Sequence, residues 1–512
     1  MVLKSNRTGQ GQEPEIGARC RDKQRFTHPA ASGALALQFH LFQLSKFQHS
    51  PPQKKMTPPP KSKETTGVIE KLTVPLAPPS EDQTEVGNYF VANYPPFSFW
   101  TPEHKGAVYD VLNSPRPVDT NLGLYFHIPF CRKRCHFCYF RVYTDKNASE
   151  INAYLDAGIK EFERYSQTSY LAGRKPQFVY FGGGTPSYLS IDQLRDLTNR
   201  MKDLFPWDET EEVAFEAEPG TLTEKKLEAL REIGVTRLSL GIESFDDHIL
   251  EVNGRAHRSK EAYRAIAFAK TLGFDQLNID LIAGMMDETP ENWERCVHTA
   301  IEQQPDCVTI YQMEIPYNTT IFKEMKESGR ISAPVADWKT KRAWVDWAFS
   351  QFEAAGYTVS SAYTVVKNPE TTKFVYRDSL WEGADLLSAG VASFGHFGGV
   401  HYQNQADVGP YMTELEKGEL PIFRAYPTSH EERFIREFIL QLKLGRTRLG
   451  YFREKYGVDP LVRFPEQISD LQTRGYLSLD GDDIVISRDG LLQIDRLLHG
   501  FFLEKHRDAR YT

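Results

Sequence analysis

No stretch of this 512-residue chain approaches the about 18 consecutive apolar residues that a membrane-spanning helix needs. The nearest candidate, Ala34 to Phe42, is interrupted by Gln38 and His40, so membrane insertion is not expected. Excess positive charge is missing too. With 61 Lys and Arg against 69 Asp and Glu, the balance lacks the basic footprint of a nucleic-acid binder. Cysteine is scarce: six in 512 residues exclude a disulfide-built scaffold. No apolar h-region or small-residue cleavage site follows the basic start, so a secretory signal is not expected and a cytoplasmic, reducing setting is.

Scarcity makes the placing of the cysteines informative. Cys131, Cys135 and Cys138 fall within eight positions, while Cys20, Cys296 and Cys307 are scattered. A tight cluster in a cysteine-poor chain points to a metal site. The scattered three read as structural, the usual fate of a free cysteine.

Residues 1–55 carry nine Lys/Arg against three Asp/Glu and show little periodicity. Met56 is the first methionine after Met1. The natural start is expected there, with 1–55 an upstream read-through or a disordered tail; a transit peptide is the alternative. Residues 56–85 are rich in Pro, Lys and Thr and read as a linker, which makes 1–85 one extension. A lead-in segment, 86–120, follows.

From Leu122 onward, apolar runs of strand length alternate with stretches of helical period. LGLYFHI (122–128) precedes the cysteines and a helix near 149–166. FVYFGGG (178–184), EVAFEAEP (212–219), RLSLGIES (237–244), LNIDLIAG (277–284) and CVTIYQME (307–314) follow, each trailed by a helical pattern. Thr221 or Thr223 is available to cap the third helix. Strands apolar on both faces mean a parallel sheet covered by helices. An open doubly wound sheet would satisfy that pattern. Polar residues gather at the C-terminal ends of the strands, however, where a (β/α) barrel builds its site. The expected fold is therefore α/β, an incomplete (β/α)6 barrel over 121–365, with 366–427 a connecting segment completing the pocket. From 428 to 512 helices give way to YLSLDGDDIVIS, a hairpin with an Asp-Gly turn, in a small α+β domain of winged-helix type.

The segment CRKRCHFC has the spacing C-x3-C-x2-C directly after a strand. Three thiolates on one short loop can bind three corners of a 4Fe-4S cube, and with no fourth cysteine nearby one iron stays open to a chelating cofactor. The alternative is zinc completed by His127 or His136. Structural zinc sites usually pair ligands on two loops, and that pairing is not seen here.

YFHIPFCRKRCHFC, followed by GGGTP at 182–186, resembles the radical S-adenosylmethionine (SAM) superfamily. FEAEPGT, NIDLIAG and GVHYQNQ narrow the resemblance to the branch of oxygen-independent coproporphyrinogen III oxidase (HemN-like), over about Tyr125 to Phe502. It implies that Cys131, Cys135 and Cys138 hold a 4Fe-4S cluster, that Tyr125 lies beside SAM, and that Phe137 lies against the adenine. Gly183, Gly184 and Thr185 would let backbone amides approach the methionyl group, and Glu216 would accept from ribose or amino donors. Tyr125 and Glu216 are the residues expected nearest the chemistry. Glu218 should share a strand face with Glu216 unless the chain bends.

Glu243, Arg255 and Asp280 fall where the oxidase contacts a second SAM or its surroundings; for Arg255 and Asp280 the bland reading is a structural ion pair. Met313 and Phe394 align with apolar contacts of the same pocket. The implied chemistry is reductive cleavage of SAM, hydrogen abstraction from a porphyrinogen propionate and loss of CO2. It requires a one-electron donor such as a flavodoxin or ferredoxin. Arg132, Lys133, Arg134 and Arg141 are candidate contacts for an anionic tetrapyrrole, with a solvated charge run as the plain alternative.

Three departures stand out. Phe140 replaces a cysteine of the oxidase, Glu243 replaces a glutamine, and Arg377–Trp381 reads RDSLW where heme chaperones of the branch carry a histidine. A radical methyltransferase, a heme-degrading radical enzyme and a heme-trafficking protein are the alternative functions.

Overall fold

A computed structural model describes residues 90–316, 318–328 and 335–507. The extension at 1–85 and Cys20 lie outside the described residues. Six parallel strands carry the centre: β1 (Leu122–Ile128), β2 (Phe178–Gly183), β3 (Glu212–Ala217), β4 (Arg237–Glu243), β5 (Gln276–Ala283) and β6 (Cys307–Gln312). They pair in sequence order, each with the next. The expected (β/α) alternation is therefore present, and the six apolar runs are its strands.

The sheet does not stop at these six. Beyond β6 lie β7 (Thr358–Ser361) and β8 (Thr364–Val366), with β8 antiparallel to β6. Beyond β1 lie β9 (Asp385–Ala389), β10 (Phe394–Phe397), β11 (Val400–Asn404) and β12 (Ile422–Pro427). β9 runs parallel to β1, and the rest are antiparallel. One mixed 12-stranded sheet results, with β12 and β7 at its edges. The segment expected to connect and to complete the pocket contributes four strands and two helices, Val375–Trp381 and Val408–Glu416.

Local chemistry explains the boundaries. The helix 148–166 starts on Asn147, whose side chain accepts from the Ser149 and Glu150 amides while Glu150 answers the Asn147 amide. Thr223, not Thr221, caps the helix 224–232. Leu124, Phe126 and Ile128 of β1 are buried, as are Val179, Phe181, Phe215, Leu238, Leu240, Ile279 and Leu281. Within each strand they fall at every second position and so share one face, where Phe126 meets Tyr154 and Phe162 of the helix 148–166. Gly158 has a packing reason: a Cβ there would lie 2.3 Å from the Phe126 ring.

The C-terminal part has its own apolar cluster around Phe434, Phe438, Phe452, Phe464 and Phe501. Its small sheet, in the order β13 (Arg446–Arg448), β15 (Asp483–Ile486) and β14 (Leu477–Asp480), is antiparallel. Asp480 pairs with Asp483, so the turn residues are Gly481 and Asp482, and Gly481 takes φ +61°. Among the described residues no helix is long and apolar enough to cross a membrane.

Candidate active site

The cysteine loop leaves the C-terminal end of β1 and is tied shut at its base. The Cys131 amide donates to the Tyr143 carbonyl at 3.1 Å, and the Tyr143 amide to the Pro129 carbonyl at 2.8 Å. His136 pins the middle: its amide reaches the Asn253 carbonyl at 3.0 Å and its Nδ1 the Val252 carbonyl at 3.0 Å. Arg134 donates to the carbonyls of Cys138 (3.0 Å) and Asn318 (3.3 Å). All three thiols line one cavity of about 400 Å³ above the strand ends.

Glycine at the end of β2 lets that loop close down. A Cβ on Gly184 would stand 3.0 Å from Cys131 Sγ and 3.0 Å from the Phe130 carbonyl oxygen, and Gly183 has φ +122° against the His127 ring. Thr185 Oγ1 donates to Cys131 Sγ at 3.3 Å, and Arg255 Nη1 to Cys135 Sγ at 3.3 Å. Burial pushes the Cys131 thiol up to about 12 and Cys138 to about 11. Such desolvated thiols favour the thiolate only beside strong positive charge, which a metal cluster supplies.

Zinc fits less well. Among the described residues no three His, Cys, Asp or Glu side chains are placed to hold one ion. A cube taking one thiolate per corner does not need its ligands to converge on a point.

The same cavity gathers acid. Glu216 Oε1 accepts from the Tyr180 hydroxyl at 2.7 Å and Oε2 from the Gly183 amide at 3.1 Å. Burial raises the Glu216 carboxyl to about 7 despite these donors, and nearby Asp280 adds to the rise. Burial likewise lifts Glu243 to about 7 and Asp280 to about 6. Arg255 is the cation within reach: it stands 3.6 Å from Glu243, and its Nε has no partner. The ion pair is therefore Arg255–Glu243, while Asp280 accepts from Asn278 Nδ2 at 2.9 Å. Three buried carboxylates, one of them paired with Arg255, create a site that a cationic ligand with hydroxyl and ammonium donors would satisfy. SAM, carrying a sulfonium and an ammonium group, has that chemistry.

Most expected positions meet here: Cys131, Cys135, Cys138, Phe137, Gly183, Gly184, Thr185, Glu216, Glu243, Arg255, Asp280 and Met313 all line the cavity. Glu218 lines it too, although it lies past the end of β3, where it accepts from the Gly220 amide and pairs with Arg132 and His257. Two positions differ. Tyr125 does not line the cavity; it stacks near Tyr180 at 5.9 Å and bonds His127 behind the wall. Phe394 does not either: on β10 it packs against Phe97 and Trp100 of the lead-in segment, at 4.5 and 5.7 Å.

The loop cations are mostly structural. Arg132 and Arg134 hold backbone carbonyls and Arg141 pairs with Asp407, which leaves Lys133 at the mouth. Sequence reasoning passed over Tyr180, whose hydroxyl fixes Glu216, and Glu314, raised to about 7 by burial. It singled out Phe140 only as a lost cysteine, and passed over the aromatic rim that Phe140 forms with Tyr139 and Tyr311, each exposed by four-tenths or more. Alternation from Glu216 across the parallel register would have found Tyr180, since β2 and β3 pair Tyr180 with Ala214.

A three-thiol loop over the C-terminal ends of parallel strands is the radical SAM arrangement. Residues 125–300 match the Radical SAM superfamily. The chain is 28% identical over 384 residues to the heme chaperone HemW of Bacillus subtilis, covering 74% of this chain and 99% of that protein. It is 26% identical over 402 residues to oxygen-independent coproporphyrinogen III oxidase of Pseudomonas aeruginosa, covering 75% and 86%. The fold matches that of coproporphyrinogen III oxidase (HemN) from Escherichia coli with a TM-score of 0.71 at 22% identity, over 81% of this chain and 96% of that one. Residues 125–300 thus match the radical SAM superfamily, which uses a 4Fe-4S cluster and SAM, and the chain over three quarters of its length is similar to both heme chaperones and oxygen-independent coproporphyrinogen III oxidases.

Proposed function

We propose that Cys131, Cys135 and Cys138 hold the cluster and that Glu216, Glu243 and Asp280, with Gly183, Gly184, Thr185, Phe137 and Met313, hold SAM. The observation carrying this reading is one cavity in which three thiols face three carboxylates of raised proton affinity. When bound, the two cofactors supply an electron and a 5′-deoxyadenosyl radical that takes a hydrogen from substrate. The protein's own part is orientation and exclusion of water. Glu216 is held rigid by Tyr180 and the Gly183 amide, so it receives a donor without reorganising. Arg255 screens Glu243 from Asp280 and braces Cys135.

For the substrate we propose a porphyrinogen, decarboxylated oxidatively at its propionates, with a flavodoxin or ferredoxin as electron donor in the cytoplasm. The exposed aromatic rim suits a flat macrocycle, and Lys133 is placed to meet a propionate. Methyl transfer, or radical opening of a heme, would use the same cavity with a different acceptor.

The second reading is heme trafficking. The 28% similarity to a heme chaperone supports it, as does Phe140, where the oxidase carries a cysteine. Cluster-reconstituted protein given dithionite, SAM and coproporphyrinogen III under anaerobic conditions separates the readings. Harderoporphyrinogen or protoporphyrinogen supports the oxidase, and a methylated product the transferase. Tight heme binding with no tetrapyrrole turnover supports trafficking.

A further inference from the structure

A second cavity, of about 440 Å³, lies at the opposite end of the strands from the cysteines. Arg237 and Cys307, the first residues of β4 and β6, form its floor, and the segment Thr372–Asp378 forms one wall. Arg237 shares a strand face with Ser239, Gly241 and Glu243 by alternation, so it closes the interior of the sheet from below.

This arginine is 1% exposed and has no carboxylate within ion-pair distance among the described residues. Its donors reach only the Gln276 side-chain Oε1 at 2.6 Å and Cys307 Sγ at 3.4 Å, and its Nε has no partner. Two acids act on its charge from beyond ion-pair distance: Glu212, which already accepts the amides of Val375 (3.2 Å) and Tyr376 (3.0 Å), and Asp280 of the cysteine cavity. Some compensation comes from the Phe374 ring, 4.3 Å from the Arg237 guanidinium.

Arg377 sits on the same ring, 5.8 Å from its centre, with its side chain 13% exposed and its Nη1 buried without a partner. Its remaining nitrogens go to Asp378. Lys373 adds a third cation at the rim, where Glu382 is the second acid. A buried guanidinium is costly unless it is paired and hydrogen-bonded, and planar guanidinia match oxyanions well. Val366, Pro369, Leu444 and Phe374 make the rest of the lining apolar. The volume falls in the range of small-molecule sites.

We propose that this cavity is a second ligand site, taking a small oxyanion, carboxylate or phosphate, between Arg237 and Arg377 with its apolar body on Phe374. It is independent of the cluster chemistry and of the substrate assigned above. The test titrates the full, cluster-reconstituted chain with inorganic phosphate and, separately, succinate, against chloride at matched ionic strength, by calorimetry and thermal unfolding. At least one oxyanion is expected to bind in the millimolar range or tighter and to raise the unfolding temperature. Arg377→Gln should weaken it about tenfold or more. Lys373→Ala, at an exposed position, should weaken it less and keeps the test decisive where Arg377→Gln does not fold. Preference for phosphate or for succinate tells the two sources apart. No heat with either probe up to about 50 mM, or wild-type affinity in both variants, overturns the site.

Discussion

Glu216→Gln is the sharpest perturbation of the cofactor assignment. In the native chain one carboxylate oxygen takes the Tyr180 hydroxyl at 2.7 Å and the other the Gly183 amide at 3.1 Å. The carboxamide keeps the shape but offers one acceptor oxygen. Its NH2 group must then face either the Gly183 amide, which cannot accept, or Tyr180, whose hydroxyl can turn to do so. The oxygen therefore stays on Gly183, and the NH2 group faces the hydroxyl and the cavity. A hydrogen bond to a charged group contributes about 1.5–3 kcal/mol, so losing the one between Glu216 and a SAM donor should weaken SAM binding roughly 10- to 150-fold. Neutralising one of three carboxylates also removes attraction for a cationic ligand. The assay is calorimetric titration of SAM into anaerobically reconstituted protein, with iron content and visible absorption as the control for an intact cluster. Native SAM affinity in a variant with a full cluster would refute the role given to Glu216.

Three further outcomes follow from particular contacts. SAM affinity should rise with pH between about 6 and 8 and then level off. Glu216 and Glu243 near 7 and Asp280 near 6 must lose protons to receive a cation, so binding should release protons, read as a buffer-dependent heat. By the same linkage the ligand-free protein should lose stability as pH climbs from about 6.5 to 8, above the range in which His127, His401, His499 and His506, held near 3 to 4 by burial, add to it. These carboxyls, with Glu161 near 7 and Glu288 near 8, hold protons more tightly folded than unfolded; a urea midpoint that rises over this window would contradict it. Asp385→Asn breaks a buried cluster in which Asp385 takes Arg174 at 2.7 Å, Tyr170 at 2.8 Å and the Gly398 amide at 3.0 Å. It should cost about 3–5 kcal/mol in equilibrium unfolding.

The central strands were legible because each carries a buried apolar face at every second residue. The other face holds Glu212, Glu216, Arg237, Ser239, Asn278 and Asp280, so the expectation of strands apolar on both faces does not hold. The strands on the far side of β1 were not legible. Val400–Asn404 reads VHYQN, and its polar residues are buried by partners far away in the chain. Asn404 donates to Glu161 at 2.7 Å, and His401 stacks on Trp100 at 4.9 Å. Nothing local marks such a segment as interior. β7 and β8 are too short, at four and three residues, to show alternation. The helix Thr320–Ser328 was missed between β6 and the longer helix Trp338–Ala354.

At the site, the cysteine spacing and the glycines after β2 could be read directly, since both answer to local backbone geometry. Phe394 could not be placed, because its neighbours Phe97 and Trp100 come from a segment almost 300 residues earlier. The basic run around the cysteines read as either a substrate contact or a solvated charge run; Arg134 instead holds the Cys138 carbonyl, and the exposed Arg132 spans to Glu218 and the Ala256 carbonyl.

The most direct test of the account is 5′-deoxyadenosine formation. Protein reconstituted anaerobically with iron and sulfide, reduced with dithionite and given SAM should produce 5′-deoxyadenosine and methionine. Cys135→Ala should lose the cluster's visible absorption and yield neither product. Product at native levels from Cys135→Ala, or none from native protein carrying a full complement of iron, would contradict the claim that this three-cysteine loop supports radical SAM chemistry.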